Sequence, residues 1–385
     1  MLDVPGAIGI RELDEIDPDA QSSPDVHGFT DVAAHYGDPA REQRLLDTEA
    51  GIVDRSHRGV LAVPGVERAS WLHSLTTQHL ADLRDGQGTE LLVLSPHGHV
   101  EHHAGVAEVG ETVWLDTEPS SAAGLFTFLS KMVFLTRVEP RDATADRAVL
   151  SLVGPRAAEA LARIGVPDLP APSVQAVPGP KFPSGALQPQ PTSGYAVREL
   201  PSDILRPGPG AGAGAAAGGF VRAGRLGYDL VVPRGSVAAL VTALGVPPAG
   251  LWAYEALRVA AGLPRAGFET DHRTLPSEVG LIEPAVHLDK GCYRGQETIA
   301  RVHNLGRPPR RMVLLHLDGI TSDEPPAVHT PVTNEAGKEI GFVGTAVRHY
   351  ELGTIALAVI KRNTPDDAAL RVGVAAAAID PTIRL

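Results

Sequence analysis

The sequence predicts an α+β fold, and three observations carry that reading. Period-two strand patterns alternate with helical patterns through the first two thirds of the chain. The stretch Thr89 to Asp116 has the apolar runs and turn residues of a β-meander. Toward the C-terminus, short strand patterns follow one another between glycine-containing and acidic turns, as in a small antiparallel barrel.

Residues 1–28 are polar, acidic and dotted with prolines, a composition expected to give a flexible N-terminal lead-in. Arg41 to Ala50 has helical spacing and meets Gly51 where a helix should stop. Gly59 to Val63 reads as a strand, Pro64-Gly65 as a turn, and Val66, Ala69 and Leu72 as the apolar face of a helix. The meander runs through Glu90–Leu94, the turn Ser95-Pro96-His97-Gly98, a strand from Val100 to Val106 and a third around Val113-Trp114-Leu115. A helix is expected from Ser120 to Lys131, closing a first lobe over 29–150.

A second lobe is expected over 151–308. Strand Ala148–Val153 leads through Gly154-Pro155 into a helix with Ala157, Ala160, Leu161 and Ile164 on one face. Between Gly165 and Gly219 the composition turns to Pro, Gly, Ala and Ser, which reads as a low-complexity insertion. It contains no GxxxxGK[ST], so a phosphate cradle is not indicated. Order resumes with strands at Phe220–Arg222 and Gly227–Pro233, then helices from Ser236 to Leu244 and Trp252 to Ala261, closed by Gly262 and Pro264. Residues 309–385 carry the barrel strands Met312–Leu317, Ile340–Val347, Thr354–Ile360 and Ala375–Ile379.

At 385 residues, with 43% hydrophobic content, the chain is long enough for two or three domains with sizeable cores. Thirty-four basic against 46 acidic residues leave a net charge of −12, which argues against nonspecific binding to nucleic acid or an anionic membrane. The start lacks a basic and apolar leader pattern, and no uninterrupted apolar run reaches the ~18 residues of a membrane span, so a cytoplasmic location is expected. The single cysteine excludes an internal disulfide and a self-contained four-cysteine iron–sulfur site.

That cysteine sits in Lys290-Gly291-Cys292-Tyr293-Arg294-Gly295-Gln296-Glu297. Two flanking cations favour the thiolate, and with it nucleophilic or redox reactivity. Inert cysteines usually have apolar neighbours, which this one lacks.

Several landmarks together resemble the glycine-cleavage T-protein, or aminomethyltransferase, superfamily: Gly51 to Gly59, Leu75-Thr76-Thr77-Gln78, Asp85-Gly86-Gln87-Gly88, Gly227 to Pro233, Leu257 to Gly262 and Pro276 to Leu281. The octapeptide at Lys290, with Ala300-Arg301 after it, is similar to the signature of the YgfZ family of folate-binding proteins. The resemblance implies a three-lobed T-protein-like fold around a central hole, with mixed and antiparallel sheets packed by helices and a small C-terminal β-barrel. It implies tetrahydrofolate or a one-carbon derivative as cofactor, with the pterin held by a carboxylate accepting two parallel hydrogen bonds. Asp229 stands at the family's usual glutamate position, and Tyr228 beside it offers a stacking face. His102, His103, Arg258, Glu278, Gln296, Glu297 and Arg301 complete the expected folate-binding set, with Cys292 and Lys290 as the reactive pair and Arg294 helping to hold the thiolate.

One departure bears on chemistry. Aminomethyltransferases carry an acidic pair where this chain has His102 and His103, and a neutral imidazole does not reproduce a fixed anion's stabilisation of a developing cation. The resemblance therefore implies a tetrahydrofolate-binding protein that assists assembly or repair of iron–sulfur clusters in client enzymes, with an indirect effect on tRNA modification. Two alternatives stand beside it: a folate-dependent aminomethyl- or methyltransferase with His102 or His103 replacing the acid, and a non-catalytic folate sensor. The histidines between His97 and His103 also have metal-ligating chemistry, with a polar or folate-facing rim as the plainer reading. Arg307, Arg310 and Arg311 form the one dense basic run, read as a solvated loop or a site for the folate glutamate tail.

Overall fold

The computed structural model describes residues 1, 5–9, 32–167, 169–170, 195–205, 218–319 and 324–381. Most of the lead-in and most of the Gly165–Gly219 insertion lie outside these residues.

In chain order, β1 (Ile8–Gly9) pairs with β2 (Ala33–His35), and α1 (Pro39–Thr48) follows. Helix α1 starts two residues earlier than the apolar pattern indicates, because Asp38 caps it: its Oδ1 accepts from the Arg41 N–H at 3.0 Å, and Pro39 fills the first position. Next come β3 (Gly51–Asp54), β4 (Gly59–Pro64), α2 (Arg68–Leu75), β5 (Gln87–Leu94), β6 (Val100–Val109), β7 (Thr112–Thr117), α3 (Pro119–Lys131), β8 (Arg141–Asp142), β9 (Arg147–Val153) and α4 (Ala157–Arg163). The second half adds β10 (Tyr195–Glu199), β11 (Phe220–Ala223), β12 (Tyr228–Pro233), α5 (Val237–Leu244), β13 (Pro248–Ala249), α6 (Leu251–Ala260), α7 (Ile282–Ala285) and α8 (Gln296–Leu305).

These strands form one sheet in the order β13-β3-β9-β12-β11-β10-β5-β6-β7-β4-β8, antiparallel except where β13 meets β3. Its outer face is apolar in both halves. Helices α2 and α3 cover Leu61, Val63, Leu91, Val93, Ala104 and Val106 in one, while α4 and α5 cover Leu150, Leu152, Leu230 and Val232 in the other. Successive strand residues point to opposite faces, so the alternate positions line the concave side. Part of that side closes on itself around Val60, Val149, Val197, Phe220 and Val231, Leu92 and Leu94 pack under the barrel, and a stretch between them is polar.

The barrel is closed in the order β14-β17-β16-β15-β18-β19, built from β14 (Arg310–Leu317), β15 (Pro331–Asn334), β16 (Glu339–His349), β17 (Gly353–Lys361), β18 (Leu370–Val372) and β19 (Ala375–Ile379). Strands β15 and β18 escape the sequence reading because they are short, with one and two buried residues respectively. The barrel docks through Met312, Leu314, Leu357 and Val359, which pack with Ala256 and Val259 of α6 and Leu92 of β5. The result is an α+β, multi-lobed fold with mixed sheets and a small C-terminal barrel. No helix among the described residues is long and apolar enough to cross a membrane.

Candidate functional site

The polar part of the concave face is a consequence of strand register. Ser151 on β9 stands opposite Asp229 on β12, and Asp229 opposite Arg222 on β11. In the other half Glu90 on β5 stands opposite Gly105 on β6, and Gly105 opposite Asp116 on β7. The two rows line a cleft together with Arg55, Tyr195, Arg225 and Tyr254.

Asp229 is held from three sides. Its Oδ1 accepts from Ser151 Oγ at 2.6 Å and from Arg55 at 3.3 Å, and its Oδ2 accepts from Arg222 at 3.0 Å. Arg55 in turn lies 4.4 Å over the ring of Tyr254, which also lines the cleft. A carboxylate has about four acceptor positions, so roughly one remains for a ligand. The two parallel bonds expected from the sequence require Ser151 or Arg55 to give way.

Behind this row runs a buried ionic network. Arg58 pairs with Asp116 at 2.9 Å and with Glu118 at 2.5 Å, and Arg222 reaches Asp116 at 2.6 Å. Arg265 bridges Glu118 at 3.0 Å and Glu255 at 2.8 Å. Arg258 continues from Glu255 at 2.9 Å to the Thr345 hydroxyl on the barrel at 2.6 Å. Burial alone would raise Asp116 and Glu118, but the arginine charges beside them hold both well below the usual carboxylate range. Arg258 lines the cleft as the sequence led us to expect, yet its guanidinium is committed to protein partners.

Gly105 makes the Arg222–Asp116 pair possible. A Cβ there would stand 2.5 Å from both terminal nitrogens of Arg222 and 2.6 Å from Asp116 Oδ1. Gly105→Ala is therefore expected to push the two charges apart and cost about 1–3 kcal/mol, read as a lower urea midpoint. An unchanged midpoint would show that Arg222 can leave without loss.

The two histidines at the family's acidic positions face opposite ways. His102 leaves the cleft: its Nδ1 lies 2.6 Å from Ser121 Oγ on α3. His103 lines the cleft, with Nε2 2.7 Å from Glu90 Oε2, and the Tyr195 hydroxyl donates to Glu90 Oε1 at 2.5 Å. Burial would raise Glu90; the His103 hydrogen bond, the Arg225 charge and the Tyr195 hydroxyl hold it down at about 2. Among the described residues no group of three or more His, Cys, Asp or Glu side chains could hold a metal ion.

Several expected site residues lie elsewhere. Tyr228 offers no stacking face to the cleft, because it neighbours Asp229 on a strand and so points to the other side; it is 1% exposed in the core under α4 and α5. Glu278 is spent on the Leu275 N–H at 3.0 Å and on Arg310 at 2.7 Å. Arg310 is thereby tied up with Glu278 and Asp271 rather than offered to a glutamate tail. Glu297 and Arg301 are exposed on α8.

Cys292 is exposed and free, as a reactive thiol must be. Its flanking cations do not serve it directly. The Lys290 ammonium is buried and donates to the carbonyls of His73, Thr76 (2.5 Å) and Gln78 (3.0 Å) at the end of α2. A helix C-terminus leaves such carbonyls without intrahelical partners, and a cation satisfies them. Burial pushes Lys290 down to about 8, so at neutral pH it is still an ammonium. Arg294 pairs with Glu101 at 3.0 Å. Gln296 Nε2 donates to the Lys290 carbonyl at 3.2 Å, bracing the loop. The loop is seated on the meander turn glycine to glycine: a Cβ on Gly295 would be 2.8 Å from Gly98 Cα, and one on Gly98 would be 2.8 Å from Thr298 Cβ.

Glu90, Asp116, Tyr195 and Arg222 were not identified from the sequence. The signal that could have found three of them is a charge inside an otherwise apolar strand, as in Thr89-Glu90-Leu91-Leu92, Val113-Trp114-Leu115-Asp116 and Phe220-Val221-Arg222.

Known proteins resemble this chain in sequence and in fold. Residues 29–176 match the family model described as the GCVT N-terminal domain. An aminomethyltransferase from Geobacillus kaustophilus is 28% identical over 345 residues, covering 87% of this chain and 85% of that one. One from Chlorobaculum parvum is 28% identical over 329 residues, covering 83% and 80%. The crystal structure of glycine cleavage system aminomethyltransferase T from Bartonella henselae superposes with a TM-score of 0.67 at 20% identity, covering 95% of this chain and 94% of that one, and so shares the fold.

Proposed function

We infer, from a chain that belongs to the GCV T-protein/aminomethyltransferase superfamily, that the cleft binds a reduced folate and supports aminomethyltransferase-like chemistry. The observation that carries this reading is Asp229. It is an anion in a cleft otherwise rich in arginine, fixed by Ser151, Arg55 and Arg222, with one acceptor position left for a donor on the ligand. A pterin edge presents such N–H donors. Tetrahydrofolate, when bound, supplies the nitrogens that accept a one-carbon unit. The chain's own contribution is orientation at Asp229, exclusion of water by the buried arginine–carboxylate network, and a proton acceptor at His103. Calorimetric titration of the purified chain with tetrahydrofolate tests the reading. Saturable binding is expected, and methylene-tetrahydrofolate should form above the background rate in the presence of an aminomethyl donor. Absence of binding removes the premise.

The exposed thiol favours a second reading, that of a YgfZ-type protein serving iron–sulfur client enzymes. With one cysteine the chain cannot hold a conventional cluster alone, so Cys292 would contact the client's cluster or form a transient mixed disulfide. Any effect on tRNA modification would then arise through cluster-dependent modifying enzymes. On this reading Cys292→Ser lowers the activity of iron–sulfur enzymes in cells under oxidative stress while tetrahydrofolate affinity stays the same. A Ser variant that protects those enzymes as well as wild type sets the thiol aside.

A further inference from the structure

Segment 284–290, which leads into the Cys292 loop, is docked on residues 73–80 at the end of α2. Thr77 Oγ1 donates to the Ala285 carbonyl at 2.6 Å and Gln78 Nε2 to the Pro284 carbonyl at 3.3 Å, while the His287 N–H donates to the Thr77 carbonyl at 3.0 Å. The Lys290 ammonium closes the set on the carbonyls of His73, Thr76 and Gln78. Three imidazoles lie in the same seam. His73 meets His79 edge-on with ring centres 4.7 Å apart, and His79 meets His287 at 5.2 Å. The charged and titratable groups facing His73 are Lys290, His79, Asp82 and His287. Asp82 is the one acid among them, and its carboxylate, 3.2 Å from His79 Nε2, is largely open to solvent.

Neutral rings suit this seam and charged ones do not. His73 Nδ1 accepts from the Leu80 N–H at 3.2 Å, so the neutral ring carries its hydrogen on Nε2, and a second hydrogen on Nδ1 would face that donor. His287 Nδ1 is buried without a hydrogen-bond partner among the described residues, so a proton placed there has no acceptor. Burial first, then the Lys290 and His79 charges, hold His73 below the ordinary imidazole range. Lys290, pushed down by burial to about 8, keeps its own charge in mild acid.

We propose that His73, His79 and His287 form a proton-operated latch: neutral, they let segment 284–290 stay docked, and protonated, they drive it off the end of α2 and free the Cys292 loop. An imidazole held low while docked takes up protons more readily once the segment lifts. Docking is therefore complete above the unperturbed imidazole value of about 6.5 and weakens as the pH falls below it. Two unit charges about 5 Å apart near a protein surface repel by more than the energy of a tenfold change in an equilibrium constant. The latch acts whatever ligand the cleft takes.

Hydrogen exchange of the full chain, read by mass spectrometry and corrected for the intrinsic pH dependence of amide exchange, tests the latch. Peptides covering 284–297 should lose protection by about tenfold or more between about pH 7.5 and about pH 5.5, while those from β14 and β17 keep theirs. His73→Asn, whose amide oxygen can accept from the Leu80 N–H and which takes up no proton, should shrink that loss. His79→Gln, on the half-exposed flank of the cluster, should do the same and serves if His73→Asn misfolds. Protection of 284–297 that is equal at the two pH values, that falls together with that of the barrel, or that falls by the same factor in the variants overturns the proposal.

Discussion

Arg265→Met should lower the stability of the protein by about 3–5 kcal/mol, the usual cost of leaving buried charges without their partner. Arg265 is 6% exposed and links Glu118, at the end of β7, to Glu255, within α6. Its loss takes one arginine partner from Glu118, which keeps Arg58, and one from Glu255, which keeps Arg258. Urea unfolding measures the effect, and adding Glu118→Gln should recover part of it because one stranded charge is then removed. A shift below about 1 kcal/mol, the size of an average substitution, would show that water reaches these groups. The pH dependence has a definite sign. Asp116 and Glu118 titrate lower in the folded protein than in the unfolded chain, so their contribution is complete above the unfolded carboxylate range near about 4 and is lost as the pH falls through and below it. Arg265→Met should flatten that acid limb.

Asp229→Ala should weaken tetrahydrofolate binding by about tenfold to a hundredfold, the range for losing a charge-assisted hydrogen bond. The variant also frees Arg55 and Arg222 of one anion each, although Arg222 keeps Asp116. Asp229→Asn separates the two effects, since it keeps an acceptor oxygen and removes the charge. An Asp229→Ala protein that binds tetrahydrofolate as tightly as wild type would place the pterin elsewhere.

Much of the architecture is legible in the sequence because it depends on local periodicity. The meander, the strand at Gly227–Pro233 and the barrel strands announce themselves through alternation, and the structure places strands at each of them. Helix α8 is not legible in this way: among its described side chains Ile299 is the one strongly buried apolar residue. The site is less legible than the fold, since its members come from seven strands and are brought together by pairings such as β9 with β12 and β5 with β10, which join residues far apart in sequence. Asp229, singled out by its motif, lies in the cleft. Tyr228 was misread because two adjacent strand residues cannot share a face. Lys290 shows the limit of reading charge from sequence proximity: two residues from the thiol, its ammonium is engaged by carbonyls more than two hundred positions away.

The paired glycines at 98 and 295 work as a mechanical stop. With no side chain on either, the loop carrying Cys292 and the turn that launches β6 meet backbone to backbone, so neither can slide past the other without meeting Ser95 or Thr298. A side chain at either glycine would have to push the Cys292 loop and the turn that begins β6 apart.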